Sequence, residues 1–161
     1  MAGSDLAPAS VPGALLALIR RFEGCRLVAY TCPAGIWTCG WGSTGPDVGP
    51  GTVWTQAQAD ARLLADAGVC TTGTTRLCPG LSGDPLAAIA DFAYNLGLTR
   101  LAGSTLRRRL REGDMAGAAD ELRKWVRGGG RVLPGLVRRR EAEAVLLNRG
   151  LPGRGVPPFD D

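Results

Sequence analysis

The chain has 161 residues, 45% hydrophobic and 21% charged. That is enough for one sizeable core, and it excludes a disordered tail, a fibre and a pair of large independent domains. The formal charge is +4 and Lys124 is the single lysine, so the basic groups are otherwise arginine; an excess this mild fits an arginine-rich composition as well as an anion-binding face. Histidine is absent and no CxxC pair occurs, which removes the usual mixed zinc sites, so neither metal nor cofactor is expected.

Residues 1–11, MAGSDLAPASV, carry no basic region and no apolar run. The later run PGALLALI passes straight into RRFE, far short of the roughly 20 residues that span a bilayer. The expectation is a flexible N-terminus over 1–11, no integral membrane segment, and synthesis in the host cytoplasm without a conventional signal peptide. Over 12–24, Leu15, Leu16, Ile19 and Phe22 recur at helical spacing between Pro12 and the stop residue Gly24. Glu23 falls in the last turn beside this apolar stripe. There the helix C-terminus and partial burial would both favour the protonated carboxyl, which suits a general acid.

From 25 to 50 the pattern changes to short extended pieces broken by PAG, GWGSTG and GPG, which predicts a small twisted sheet with Leu27, Ala29, Ile36 and Trp37 facing inward. Thr52 or Thr55 caps a helix over 55–68, with Gly68 as its stop. Helices follow over 84–94 (Asp84 as cap, Pro85 at the first helical position, Gly97 at the end), over 104–111 (capped by Ser104) and from Asp114 to Trp125. GGG at 128–130 is a break, and 136–148 is the last strong helix, with Leu136, Arg140, Ala144 and Leu147 on one side. Residues 151–161 read as a proline-rich tail. The fold class is therefore α+β: a small N-terminal β-containing lobe and a larger helical C-terminal lobe with a cleft between them, one two-lobed domain over 12–150.

Five cysteines are an odd number. Cys70 and Cys78 flank the polar segment TTGTTRL, where a small-loop disulfide would form in an oxidising compartment. Glycoside hydrolysis usually pairs one acid with a second group that activates water or steadies positive charge. Asp47, in a PDVGPG loop, and Asp60, on a helix, are neither excluded nor favoured as that second group. Cys32 and Thr38 lie on the two sides of the PAG turn, so they can converge opposite Glu23. A threonine hydroxyl can hold a water and a thiolate can supply negative charge or a nucleophile; the plainer reading makes Cys32 a small buried hydrophobe and Thr38 an ordinary strand residue.

Glu23, Gly24, Arg26, Leu27, Ala29, Tyr30, Gly35, Trp37, Thr38, Gly40, Gly42 and Thr44 together resemble the active-site segment of the phage-type lysozymes (endolysins, muramidases) of the T4 lysozyme superfamily, glycoside hydrolase family 24. DFAYNLG at 91–97, STLRRRLREGDMAGAADELRKW at 104–125 and LPGLVRRREAEAVLL at 133–147 extend the resemblance in one order over about residues 12–150. It implies a lysozyme-like fold and, as substrate, bacterial peptidoglycan cut between N-acetylmuramic acid and N-acetylglucosamine. It makes Glu23 the general acid and Thr38 the water-holding threonine, and places Cys32 where the best-known members have aspartate, as in a subset of related endolysins. Ser43 stands where histidine often follows GxG.

Tyr30, Trp37 and Trp41 would contact sugar or fill the small lobe, and Tyr94 and Asn95 would border the cleft. Arg138 to Arg140, which precede Glu141, would form intrahelical or interlobe ion pairs, or Arg140 would brace the C-terminal lobe. A bond from Cys32 to Cys25 or Cys39 would block the thiol; reduced cysteines are the favoured reading. A non-catalytic peptidoglycan-binding module and a lytic transglycosylase remain the alternatives. RRRLR and RRR come with no reader motif, so no nucleic-acid partner is expected. The expected protein is a monomer acting on the cell wall in the periplasm or outside the cell.

Overall fold

The computed structural model describes residues 10–149. Nearly all of the expected flexible N-terminus and the whole proline-rich tail at 151–161 lie outside the described residues. The first helix, α1 (Gly13–Glu23), buries Leu15, Leu18 and Ile19 and ends at Gly24, whose φ is 67°. Strands β1 (Arg26–Thr31) and β2 (Trp37–Gly40) form an antiparallel hairpin that pairs Tyr30 with Thr38 and Thr31 with Trp37. The segment 52–54 lies along β1: Ala29 N–H donates to Thr52 O at 2.9 Å and Trp54 N–H to Leu27 O at 2.8 Å. Ile36, expected to face inward, is 52% exposed at the hairpin tip.

Helix α2 (Gln56–Leu77) starts where Thr55 and Gln58 form a reciprocal capping box. It runs on through Gly68, the expected stop. The threonines that follow are accommodated with their hydroxyls bonded back to the carbonyl one turn earlier, Thr71 to Ala67 at 2.8 Å and Thr75 to Thr71 at 2.9 Å, so their polar groups are satisfied inside the helix. This corrects the expected Cys70–Cys78 disulfide. Eight steps along one helix separate the two residues by about 12 Å at ~1.5 Å per residue, beyond the roughly 7 Å Cα reach of a disulfide, and all five cysteines are free thiols. Burial pushes the Cys70 thiol up to about 11 and the Cys78 thiol upward as well.

Helix α3 (Gly83–Leu96) is the central element, buried without interruption from Leu86 to Ala93. Ser82 rather than Asp84 occupies its cap position, and Gly97 ends it. A five-residue helix, α4 (Leu98–Ala102), precedes α5 (Thr105–Arg111) and α6 (Met115–Arg123), which are capped by the side chains of Ser104 and Asp114. The GGG break is a tight hairpin between β3 (Arg127–Gly128) and β4 (Arg131–Val132), with Gly129 and Gly130 both at positive φ. Helix α7 (Pro134–Asn148) begins at Pro134, two residues before the expected start. One continuous core joins the helices, with Ile19, Leu63, Ile89, Phe92, Leu122 and Leu147 fully buried. The result is an α+β fold with a small N-terminal hairpin lobe and a larger helical lobe, and the end of α1 lies where the two meet.

Candidate active site

Glu23 is the last residue of α1, and its side chain is 21% exposed. Its Oε1 accepts a hydrogen bond from Arg139 Nη1 at 2.6 Å. The same guanidinium, projecting from α7, donates from Nε and Nη2 to the two oxygens of Asp91 on α3, at 2.8 and 2.9 Å, the planar two-point pairing that arginine makes with carboxylates. Glu143, one turn further along α7, lies 3.9 Å from Arg139 and 3.3 Å from Arg140. Arg140 Nη2 donates to Asn95 Oδ1 at 2.5 Å, and its guanidinium lies 5.2 Å from the Phe92 ring. Asp91, Arg140 and Glu143 are fully buried.

The electrostatics of this cluster follow from its composition of three carboxylates and two guanidiniums. Burial opposes charge on Arg139, but the hydrogen bonds and charge of Asp91, followed by those of Glu23, more than restore it and raise its pKa. Glu143 is pushed well above the ordinary carboxylate range by burial first and by the charge of Asp91 second, against the pull of Arg140. A protonated Glu143 adds no negative charge to this cluster. Glu141 takes no part: it lies on the outer face, held by Arg123 at 2.8 and 3.1 Å.

The turn that follows β2 closes on Glu23 from the other side. Gly42 has a φ of 85°, and a Cβ there would stand 2.9 Å from Glu23 Oε2, so both the backbone conformation and the close approach require glycine. The turn is fastened to the helices at three points. Trp41 Nε1 donates to Asp60 at 2.8 Å, Ser43 Oγ donates to Asp66 at 2.7 Å, and Tyr94 OH donates to Trp41 O at 2.7 Å. Burial, followed by the charges of Asp66 and Glu23, pushes the Tyr94 phenol upward. Asp60 is held below the usual carboxylate range by Trp41 and then Gln56, and Asp47 is paired with Arg62. Both acids that the sequence left open are therefore committed to structural contacts.

Cys32 and Thr38 meet on the hairpin. Cys32 N–H donates to Ile36 O at 2.9 Å and Thr38 Oγ1 donates to the same carbonyl at 3.1 Å. Backbone hydrogen bonds from Ile36 and then Ala34 hold the Cys32 thiol below its ordinary range, and the Thr38 hydroxyl contributes in the same direction. Thr38 is buried, whereas Cys32 is half-exposed. Among the described residues, the hydrogen bond of Glu23 goes to Arg139 and none reaches the hairpin pair.

The remaining residues singled out in the sequence separate into two groups. Asn95 lines a pocket of about 440 Å³ with Glu23, between the end of α1 and the start of α7. Tyr94 lines a different pocket of about 250 Å³ with Gly42, Ser43, Asp66 and Cys70. Trp41 packs against the core beneath Arg20, Tyr30 lies under the Arg26 guanidinium at 4.5 Å, and Trp37 is half-exposed at the start of β2. Among the described residues, no group of three or more Cys, Asp or Glu side chains is arranged to hold a metal ion. Sequence reasoning missed Asp91, Arg139 and Glu143 as a unit. The available signals were a lone acid inside the apolar run AAIADFAY and an Arg and Glu four residues apart on α7.

A hairpin lobe set on a helical lobe, with an acid at the end of the first helix where they meet, is the architecture of the lysozyme class of glycoside hydrolases. The phage lysozyme family model matches residues 20–143. The chain is 43% identical over 137 residues to an endolysin of Acyrthosiphon pisum secondary endosymbiont phage 1, covering 82% of this chain and 93% of that one. It is 36% identical over 125 residues to a SAR-endolysin of Bacteriophage PS119, covering 75% and 73% of the two chains. Among solved structures it superposes on the muramidase domain of SpmX from Asticaccaulis excentricus with a TM-score of 0.78 and 31% identity, over 86% of this chain and 97% of that one. The chain belongs to the phage lysozyme family and is, with it, a glycoside hydrolase of the lysozyme class.

Proposed function

We propose that this chain hydrolyses the β-1,4 bond between N-acetylmuramic acid and N-acetylglucosamine in bacterial peptidoglycan, with Glu23 as the general acid. The observation that carries this assignment is the way the two oxygens of Glu23 are divided. Oε1 is fixed by Arg139, and Oε2 stands at the Gly42 turn, so one oxygen is anchored while the other is left to carry a proton to the bridging oxygen of the substrate. As the glycosidic bond breaks, positive charge develops on the sugar and water adds to its anomeric carbon. Thr38 positions that water. Cys32, whose thiol is held toward its anionic form, steadies the developing charge and accepts a proton of the attacking water, which solvent then removes; proton uptake from solvent restores Glu23.

The working unit is one two-lobed domain over 12–150, acting as a monomer. It is made in the host cytoplasm and acts on the wall in the periplasm or outside the cell. Its similarity to endolysins and SAR-endolysins supports that route, and among the described residues no helix is long and apolar enough to cross a membrane.

Mass-resolved products from purified peptidoglycan test the assignment, comparing the wild type with Glu23→Gln, each with and without reductant. The expected products are reducing-end muropeptides, lost by roughly 10²–10⁴-fold in the variant, the usual contribution of a positioned acid. Anhydro products would mean transglycosylase chemistry. Wall binding without soluble products in either redox state would mean a binding module.

A further inference from the structure

The pocket of about 440 Å³ beside Glu23 contains more positive charge than the proposed hydrolysis uses. Three guanidiniums line it, Arg21, Arg138 and Arg139, with Glu23 as the single carboxylate on its wall. Arg139 is committed to Asp91 and Glu23. Arg21 and Arg138 are exposed, and among the described residues neither forms a salt bridge; Arg21 rests on the Phe22 ring at 5.1 Å. Phe22, Leu133 and Leu136 supply apolar wall between the charged groups. The pocket therefore presents two uncompensated cations and a greasy surface directly against the acid.

Resting on the assignment of Glu23 as the acid that cuts peptidoglycan, we propose that Arg21 and Arg138 form a subsite that reads a carboxylate of the peptide stem carried by the muramic acid sugar. The scissile bond must lie at Glu23, and the stem hangs from one of the two sugars that share this bond, so the stem emerges beside the acid. It carries free carboxylates on short aliphatic residues, which is the chemistry this lining accommodates. Guanidinium suits the task because its planar fork pairs with carboxylate at two points and stays charged at every relevant pH. A neutral glycan would gain nothing from this pocket, so the subsite discriminates by stem charge.

The test uses one purified peptidoglycan in two forms, with stem carboxylates left free or converted to methylamides, and measures kcat/KM on each. The wild type is expected to prefer the free-carboxylate form by about tenfold, the scale of one charge-assisted contact, chiefly through KM. The preference should fall toward one in Arg138→Gln and further when Arg21→Gln is added, be partly kept in Arg138→Lys, and shrink with added salt. Arg100→Gln removes an equal charge from an exposed position outside the pocket and should leave the preference intact. Equal rates of wild-type enzyme on the two forms, or a preference that drops as much in Arg100→Gln, overturns the subsite while leaving the hydrolase assignment standing. Failure to release reducing-end muropeptides from either form removes that assignment and the subsite with it.

Discussion

The two lobes that carry the proposed site are built on different principles. On the helical side, Asp91, Arg139, Arg140 and Glu143 are all buried and joined to Glu23 through a guanidinium that makes three hydrogen bonds of 2.6 to 2.9 Å. On the hairpin side, Cys32 is half-exposed on a two-stranded element, and its sulfur interacts with nearby backbone and one hydroxyl. Buried charge tolerates little change, because removing one partner strands the other in a medium that solvates it poorly. An exposed thiol can be exchanged for another small anionic group with no such penalty. On the proposed reading, in which Cys32 stands where the resemblance expects aspartate, the demanding part of the site is the helical wall that holds Glu23.

The largest effect expected from this contrast comes from Arg139→Met, which leaves Asp91 buried without its partner and frees Glu23. The variant should lose about 3–5 kcal/mol of stability in urea or thermal unfolding, the usual result of breaking a buried ion pair. Glu143→Gln is the opposite case. The raised pKa of Glu143 means that the native state holds a proton the unfolded chain releases, so stability is full below the unfolded value of about 4.3 and declines as pH rises from there toward the folded pKa. Gln mimics the protonated acid and cannot ionise. Its unfolding free energy should therefore be no lower than wild type at neutral pH and flatter in that window. A large loss of stability in Glu143→Gln would show that the ionised acid is required.

Gly42→Ala ranks next and tests the other face of Glu23. The left-handed backbone costs a residue with a Cβ about 1–2 kcal/mol, and the new methyl would press on an oxygen whose partner atom is pinned by Arg139. A displacement of about 1 Å at a reacting group can cost on the order of 10²-fold in rate. The expected outcome is a fall of one to two orders of magnitude in muropeptide release with a modest drop in melting temperature. Unchanged turnover would mean that Oε2 does not need the place it has.

What could be read in the sequence was what short-range chemistry fixes. Apolar spacing placed α1 and put Glu23 at its end, and the hydroxyl of Ser104 marked a helix start that carries the matching cap bond, while Asp114, read only as the first residue of a helix, proves to be its cap. The end of α2 was hidden because Gly68 and the threonines favour a stop in isolation. Gly73 is small for a different reason: a Cβ there would collide with the Leu98 side chain, so the glycine serves packing rather than chain reversal. The five-residue α4 has no capping side chain to announce it. The charge cluster was out of reach of any local pattern, since Arg139 is 48 residues from Asp91 and 116 from Glu23. The arginine run then drew attention to its nearest acid, Glu141, which faces outward to Arg123.

The smallest expected effect lies on the exposed wall, where Thr38→Val should raise the pH at which Cys32 reacts with iodoacetamide. Hydrogen bonds to a thiolate favour the charged form, so removing the Thr38 hydroxyl moves the titration midpoint upward; the backbone groups of Ile36 and Ala34, the larger contributors, remain and keep it below the ordinary thiol range. If Cys32 assists catalysis through its negative charge, the alkaline-side gain in muropeptide release should follow the same midpoint in both proteins. Cys32→Asp would then keep substantial activity and lose that pH limb, whereas Cys32→Ser would lose activity. A midpoint that moves in alkylation but not in turnover would separate the thiol from the reaction and leave Thr38 as the sole contribution of the hairpin.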